Sequence, residues 1–594
     1  MKLYTEQTTL YAISAAAAVA AISLLALYSK SKKVSRLPVT VEVSMNDEEL
    51  IKQGFAAKRI PQDIDIIVIG SGMGGLTVAA TLAKEGKRVL VLEQHDVAGG
   101  NTHTFEEKGY EFDTGFHYIG GNLESKAFPS RKVFDYLSND RIEFQRLGDV
   151  VDLVVAENDN GGVRDEVEFF VDHVRFKEYL KKRFPDEHKA IDKYVETVNK
   201  ANGSMGVFFG LQMVPSWARG LYRWWNASKF EYMRKTVLEV ISSITSNKGL
   251  LGILTYSWGN YGEPPTRGAF YLNASLFNHY QNGAYYVVGG PSMITKKIVR
   301  TIEELGGKVL VRAPVSSILI NDAGAAIGVN VNGTDIFAKK IVSTIGAPQT
   351  YTKLIPEAHR HRVAAQIQEL SNPEIQSCCS LMSLFVGFKG DAKELDLPTH
   401  NVWKFPSWDH LANYKANQVS PDAPFCGLFM SFSSAKDPTF ATRCPGKQVG
   451  FVIAPCFYEH VEKFKDGRVK HRGKEYEALK DVWKERLLSA FLKEFPKVSR
   501  ESIEVAELGT AVTNDFYLGT QRGAVYGLAH TPARYASDVV NPRTPIANLY
   551  LSGQDILACG IIGAAYSGLM TAAIIQSTVL PKLGKILSRP PVAP

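Results

Sequence analysis

The chain has 594 residues, 45% of them apolar and 22% charged, with a formal net charge of +7. This is enough apolar material for sizeable cores and several domains, and no internal repeat or low-complexity tract interrupts it. The basic excess is modest and dispersed, without an arginine-rich block or zinc-ligand spacing, which argues against nucleic acid as a partner and gives no reason to expect a metal.

The first element in chain order is residues 10–28 (LYAISAAAAVAAISLLALY), 19 residues without a charge and close to the ~20 that cross a bilayer as a helix. Lys2 precedes it and Lys30, Lys32, Lys33 and Arg36 follow, a bias that puts the remainder of the chain on the cytosolic side. Residues 1–33 are therefore expected to be a membrane anchor, with a cleaved signal peptide as the rival. If the folded part instead faced a lumen, the acceptor sequences at Asn202, Asn226, Asn273 and Asn332 would be open to N-glycosylation. Residues 34–61, mixed and polar and ending in Pro61, read as a linker.

Residues 64–69 (IDIIVI) then form a β-branched run suited to a strand covered on both faces. Gly70, Gly72 and Gly75, with Gly74 between them, make a G-x-G-x-x-G turn; residues 76–85 read as a helix stopped by Gly86, and 88–93 (RVLVLE) as a second strand. Gly70 permits the sharp turn, Gly72 lets a diphosphate approach the backbone, and Gly75 lets the helix lie against the strand. The helix start faces the phosphates. Glu93 at the tip of the second strand can accept from both hydroxyls of a ribose and would repel a 2′-phosphate. The chain binds a dinucleotide on this reading; the bland alternative is an ordinary βαβ unit with a small-residue turn.

A second glycine cluster, Ala98-Gly99-Gly100-Asn101, follows within one loop and can cover the pyrophosphate and ribityl chain of a flavin. Here the sequence resembles the flavin-dependent amine oxidase and phytoene desaturase superfamily, and "GGNTHTFEEKGYEFDTGFHYIGG" is similar to the branch holding retinol saturases (all-trans-retinol 13,14-reductases) and carotenoid isomerases. The resemblance implies an α/β fold, a Rossmann-type FAD-binding domain with an inserted α+β substrate domain. It also implies FAD as cofactor, NAD or NADP or a partner reductase as the electron source, a hydrophobic polyene substrate (retinoid or carotenoid), and a place at the endoplasmic reticulum membrane. The cofactor domain would take residues 62–124, 284–349 and 511–580, and the substrate domain 125–283 and 350–510, with 581–594 as a tail.

Within 125–283, residues 174–202 show a helical pattern with a lysine-rich face, and "VPSWARGLYRWWNASKF" interleaves Trp217, Tyr222, Trp224 and Trp225 with Arg219 and Arg223. That mixture suits a membrane interface, or equally an aromatic core corner with exposed arginines. From Ala284 come a strand, the Gly289-Gly290-Pro291 turn, a helix, the strand 308–312, and a hairpin from Val315 to near Ser343. By resemblance, the backbone of Val315 meets the adenine. The six cysteines, at 378, 379, 426, 444, 456 and 559, form no C-x-x-C pair and suit a reducing compartment. Residues 548–575 (NLYLSGQDILACGIIGAAYSGLMTAAII) read as a strand ending in Gly553, an acid at Asp555, and a long apolar helix. By resemblance this segment closes the flavin site, with Asp555 near the ribityl hydroxyls and the Ile562 and Gly563 amides at the pyrimidine edge, where the helix start suits an anionic reduced ring.

The resemblance implies saturation of the 13,14 double bond of all-trans-retinol or a related polyene, which needs hydride at one carbon and a proton at its neighbour. His117, in Asp113-Thr-Gly-Phe-His117-Tyr118, is the leading donor because an ordinary imidazole is a usable acid at neutral pH; a hydrogen-bonded structural histidine is the bland reading. Tyr118, Tyr286 and Tyr566 are weaker candidates. Three rivals stand beside the reductase: a redox-neutral polyene isomerase, an amine oxidase, and a non-catalytic carrier of prenylated proteins of the Rab escort or GDP-dissociation inhibitor type. The carrier would not be expected to hold both Glu93 and Asp555. Ser71 is accounted for by the phosphate turn, since no G-x-S-x-G follows a strand.

Overall fold

Five short strands form a parallel sheet: Ile66–Ile69 (β1), Val89–Leu92 (β2), Lys308–Leu310 (β3), Lys340–Ser343 (β4) and Leu549–Leu551 (β5), in spatial order β3-β2-β1-β4-β5. β1 and β2 are buried along their whole length, which is why they read as continuous apolar runs rather than alternating ones. The computed structural model describes residues 40–157 and 164–588; the expected anchor or signal at residues 1–33 lies outside them.

Helix α1, Met73–Ala83, starts three residues before the apolar pattern predicts, because Gly72 is its N-cap with extended backbone (φ −62°, ψ 171°). Gly74 and Gly75 therefore sit in its first turn. A Cβ on Gly75 would run into the carbonyl of Gly70, so the helix lies directly on the turn, as the glycine spacing requires. Two helices of the middle region, Ser204–Met213 (α2) and Arg219–Trp225 (α3), are strapped together by the Tyr222 hydroxyl donating to the Val207 carbonyl (3.1 Å). The C-terminal helix α4, Gly560–Ile575, packs on α1. A Cβ on Gly74 would stand 2.8 Å from the Cα of Gly553; the two ends of the folded chain touch backbone to backbone there.

A second large sheet is seven-stranded and mixed, in the order Ile503–Gly509, Ser380–Lys389, Lys447–Cys456, Leu428–Ser431, Asn401–Phe405, Val150–Ala156, Asp165–Phe170. Both predicted substrate segments contribute to it. The parallel pair at its heart sets Asn401 beside Asp152 in register. Among the described residues no helix is long and apolar enough to cross a membrane.

Several expectations change. Within the stretch expected as a linker, Asp47–Ile51 is a helix with a capping box at Asn46, Leu50 and Ile51 are buried, and Asp47 pairs with Lys297 (2.8 Å) and with Arg300. The 315–343 hairpin is a three-stranded antiparallel sheet, after which β4 crosses into the parallel sheet between β1 and β5. The 174–202 pattern is two helices, His173–Arg183 and His188–Ala201. The tail begins as helix Leu580–Leu587, with Leu583 and Ile586 buried. Of the glycosylation acceptors, Asn273 is closed to a sugar, being 2% exposed and hydrogen-bonded to Tyr194.

Candidate active site

The loops at the carboxyl ends of the parallel strands enclose two cavities, of ≈1240 Å³ and ≈590 Å³, that share Gly72, Asn101, Gly115, His117, Thr344 and Gln554 as common wall. They form one bent cleft at the place where open α/β sheets bind ligands.

Gly70, Gly72, Glu93, Gly100, Asn101, Val315 and Asp555 line the larger arm. The Glu93 carboxylate accepts from the Ser71 amide (2.9 Å), the Ser71 hydroxyl (2.7 Å) and the His95 amide (2.9 Å), which fixes its orientation. The Ser71 oxygen in turn accepts from the Gly99 amide (2.9 Å), tying the two glycine clusters together. The sequence reading gave Ser71 only a backbone role; its signal was a hydroxyl set between two glycines. Asp555 accepts from the amides of Ala347 (2.8 Å) and Leu528 (3.0 Å). Its loop is held from beneath by the buried Arg534, which donates to the carbonyls of Leu528 (2.9 Å), Gln554 (2.9 Å) and Asp555 (2.8 Å). Nothing local marked Arg534, whose role depends on carbonyls brought to it by the fold.

Gly72, Gly74, Gly99, Asn101, Gly553, Ile562 and Gly563 line the smaller arm, so every residue expected from sequence to hold the cofactor falls on the cleft except Gly75, which packs under it. Helix α4 begins here, and its first amides have no partner within the helix, so its positive end faces the cavity. These residues fit an FAD. A Cβ on Gly72 would meet nothing within 4 Å, leaving room for a diphosphate at the start of α1, while Glu93 presents a carboxylate where a ribose would lie and α4 presents donors at the far end.

The remainder of the smaller arm is a slot whose wall sets aromatic residues beside neutral polar ones such as Asn202, Asn260, Asn278 and Gln281. Trp403 stands 5.0 Å from Phe429 and stacks on Phe405 at 6.3 Å between ring centres, and Trp258, Leu276 and Met205 continue the wall. Among the described residues, none lining this arm is an Asp, Glu, Lys or Arg.

His117 and Tyr118 stand in the wall of this arm, with His117 bordering both arms. Burial, with the nearby Lys436 cation, pushes the His117 imidazole down to about 3, so it is neutral in the working pH range. Its Nδ1 lies 4.0 Å from Asp113 and has no hydrogen-bond partner. The ordinary histidine titration assumed from sequence presumes a solvation this site does not give. Tyr286 donates to Asp113 (2.7 Å) and lines neither arm, and burial raises the Asp113 carboxyl well above its usual range. Tyr118 and Tyr566 line the slot.

Residues 73–417 match the family described as flavin containing amine oxidoreductase. The chain is 37% identical over 544 residues to all-trans-retinol 13,14-reductase of Danio rerio, covering 89% of this chain and 88% of that one. It is 24% identical to the chloroplastic prolycopene isomerase of Daucus carota, over 90% of this chain and 82% of that one. Among solved structures it resembles cyclohexylamine oxidase from Brevibacterium oxydans, with a TM-score of 0.54, 14% identity, and coverage of 88% of this chain and 99% of that one.

Proposed function

The chain belongs to the flavin-containing amine oxidoreductase family, and from that premise we propose that it is a flavin-dependent reductase saturating the 13,14 double bond of all-trans-retinol or a closely related polyene. The observation that carries this reading is the cleft: a dinucleotide site opens without a break into an aromatic slot that offers an ammonium no carboxylate partner. A neutral conjugated chain suits such a slot.

FAD, when bound and reduced, supplies hydride to one carbon of the double bond. The protein's own tasks are to orient the polyene and to deliver a proton to the neighbouring carbon. The walls that stack on the substrate also exclude water, so a side chain in the wall must give that proton.

Access from a bilayer is part of the proposal. Trp217, Leu221, Trp224 and Trp225 are 79%, 66%, 71% and 78% exposed on and beside α3, and α3 is strapped to α2, whose Met205 lines the slot. Exposed tryptophans favour the lipid–water interface, while Arg219 and Arg223 turn inward onto Asp538. The enzyme then works at the endoplasmic reticulum membrane with residues 10–28 as anchor and its catalytic part in the cytosol, taking electrons from NAD or NADP directly or through a separate reductase.

Photoreduced holoenzyme mixed anaerobically with all-trans-retinol tests the reaction class. Return of the oxidised flavin's yellow absorbance in step with retinol consumption is expected of a reductase. A flavin that stays reduced while the retinoid isomerises contradicts it, and a protein that takes up no FAD points to a carrier.

A further inference from the structure

Beneath the aromatic slot lies a buried polar cluster. The Lys436 ammonium donates to Asn401 Oδ1 (2.5 Å), Ser431 Oγ (2.7 Å) and the His117 carbonyl (3.1 Å). All three acceptors are neutral, so its charge is answered only from a distance. Asn401 also donates to Asp152 (2.8 Å), which accepts from Tyr256 as well (2.8 Å). Above the ammonium, 5.2 Å from its nitrogen, is the centre of the Tyr118 ring. That ring stacks on Tyr280 (5.1 Å, 16°) and Phe429 (6.0 Å, 14°), both residues of the slot wall. Tyr261, Tyr526 and Tyr566 also line the slot. Tyr118 has a buried cation against its face.

Resting on the reductase reading above, we propose that Tyr118 donates the proton that completes saturation and that Lys436, as a positioning residue, stabilises the phenolate left behind. The carbon beside the one receiving hydride takes the Tyr118 proton. A C–H bond forms, the O–H bond breaks, and its electron pair stays on the tyrosine oxygen, next to a ring whose face meets the ammonium. Hydride and proton together account for the two hydrogens added. Tyr118 regains its proton from solvent once the product has left the cleft.

Burial raises the Tyr118 phenol well above its usual range, helped by Asp152, so the proton stays in place until the carbon demands it. Burial draws the Lys436 ammonium down to about 7 against the pull of Asp113 and Asp152, and lifts Asp152 to about 6. The other titratable groups around the ammonium are His117 and His400, both held low by burial, and Asp437, which is paired with Arg443 (2.9 Å). A lysine in this state loses its charge as pH rises through about 7, and the phenolate loses its support with it.

The test measures flavin reoxidation by retinol in photoreduced wild type, Tyr118→Phe, Lys436→Met and Lys436→Arg, alongside FAD content and retinoid binding. Tyr118→Phe should keep both ligands and lose about 10²-fold or more in rate, the range of a general acid. Wild type should slow above pH about 7; Lys436→Met should be slow throughout; Lys436→Arg, whose charge does not titrate, should carry the alkaline limb upward. A Tyr118→Phe rate equal to wild type, or the same alkaline limb in Lys436→Arg as in wild type, overturns the proposal. If Tyr118→Phe fails to hold FAD, the lysine variants decide it. A wild type that retinoids never reoxidise defeats the reductase reading itself and is distinguished by its own trace.

Discussion

Adding one methyl group at Gly72 or at Gly74 should damage this protein in opposite ways. Gly72 has backbone angles any residue can adopt, and a Cβ there meets nothing within 4 Å, so Gly72→Ala should leave the apoprotein's stability within about 0.5 kcal/mol of wild type or raise it slightly. The methyl group nevertheless projects into the cleft where the diphosphate must approach. Losing one charge-assisted hydrogen bond to a phosphate costs about 1.5–3 kcal/mol, which is roughly a 10- to 100-fold rise in the FAD dissociation constant. At Gly74 the new Cβ would lie 2.8 Å from Gly553 Cα and 3.0 Å from its nitrogen. Backbone cannot rotate out of the way, so Gly74→Ala should cost about 1–3 kcal/mol of fold stability and weaken FAD binding with it. Thermal unfolding of the apoproteins and titration with FAD by quenching of its fluorescence read both quantities. A Gly72→Ala protein that binds FAD like wild type, or a Gly74→Ala apoprotein as stable as wild type, refutes the reasoning.

Ser71→Ala removes the hydroxyl that donates to Glu93 and accepts from Gly99; FAD affinity should fall about 10-fold, near the net worth of a hydrogen bond to a charged group, as a titration will show. Arg534→Met leaves three buried carbonyls of the 528–555 region without their donor, and should lower stability by about 3 kcal/mol or more, measurable as a drop in the unfolding midpoint. Replacing Trp217, Trp224 and Trp225 together by Ser should leave the fold and FAD content unchanged, because these side chains are largely exposed. It should also reduce co-sedimentation with phosphatidylcholine vesicles and raise the KM for vesicle-borne retinol; unchanged partition would place the membrane contact elsewhere.

The cofactor half of the site was legible because its logic is local. The strand, turn, helix and strand of residues 64–93 carry their spacing in one stretch, and Asp555 with the start of α4 carries the closing loop in another. What escaped was set by partners distant in sequence. β4 is a four-residue strand whose neighbours β1 and β5 lie hundreds of residues to either side, so it read as the end of a hairpin. Residues 46–55 looked polar enough for a linker, yet Leu50 and Ile51 are covered by the helix Ser292–Glu304 and its surroundings. Lys436, in Ser-Ser-Ala-Lys-Asp-Pro, has the signature of an exposed turn lysine. Only the pairing of Asn401–Phe405 with Val150–Ala156 creates the buried polar cluster that receives it. His117 lies on the cleft wall, and the burial that holds its imidazole low could not be read locally, since sequence shows a residue's type and not the solvent it loses.

The most direct measurement is the mass of the product from one anaerobic turnover of the FAD-loaded, photoreduced enzyme with all-trans-retinol. Flavin-dependent saturation predicts a retinoid heavier by two hydrogens, both of them deuterium when photoreduction and turnover are run in heavy water, because the flavin N5–H exchanges with solvent. A product of unchanged mass would contradict the account.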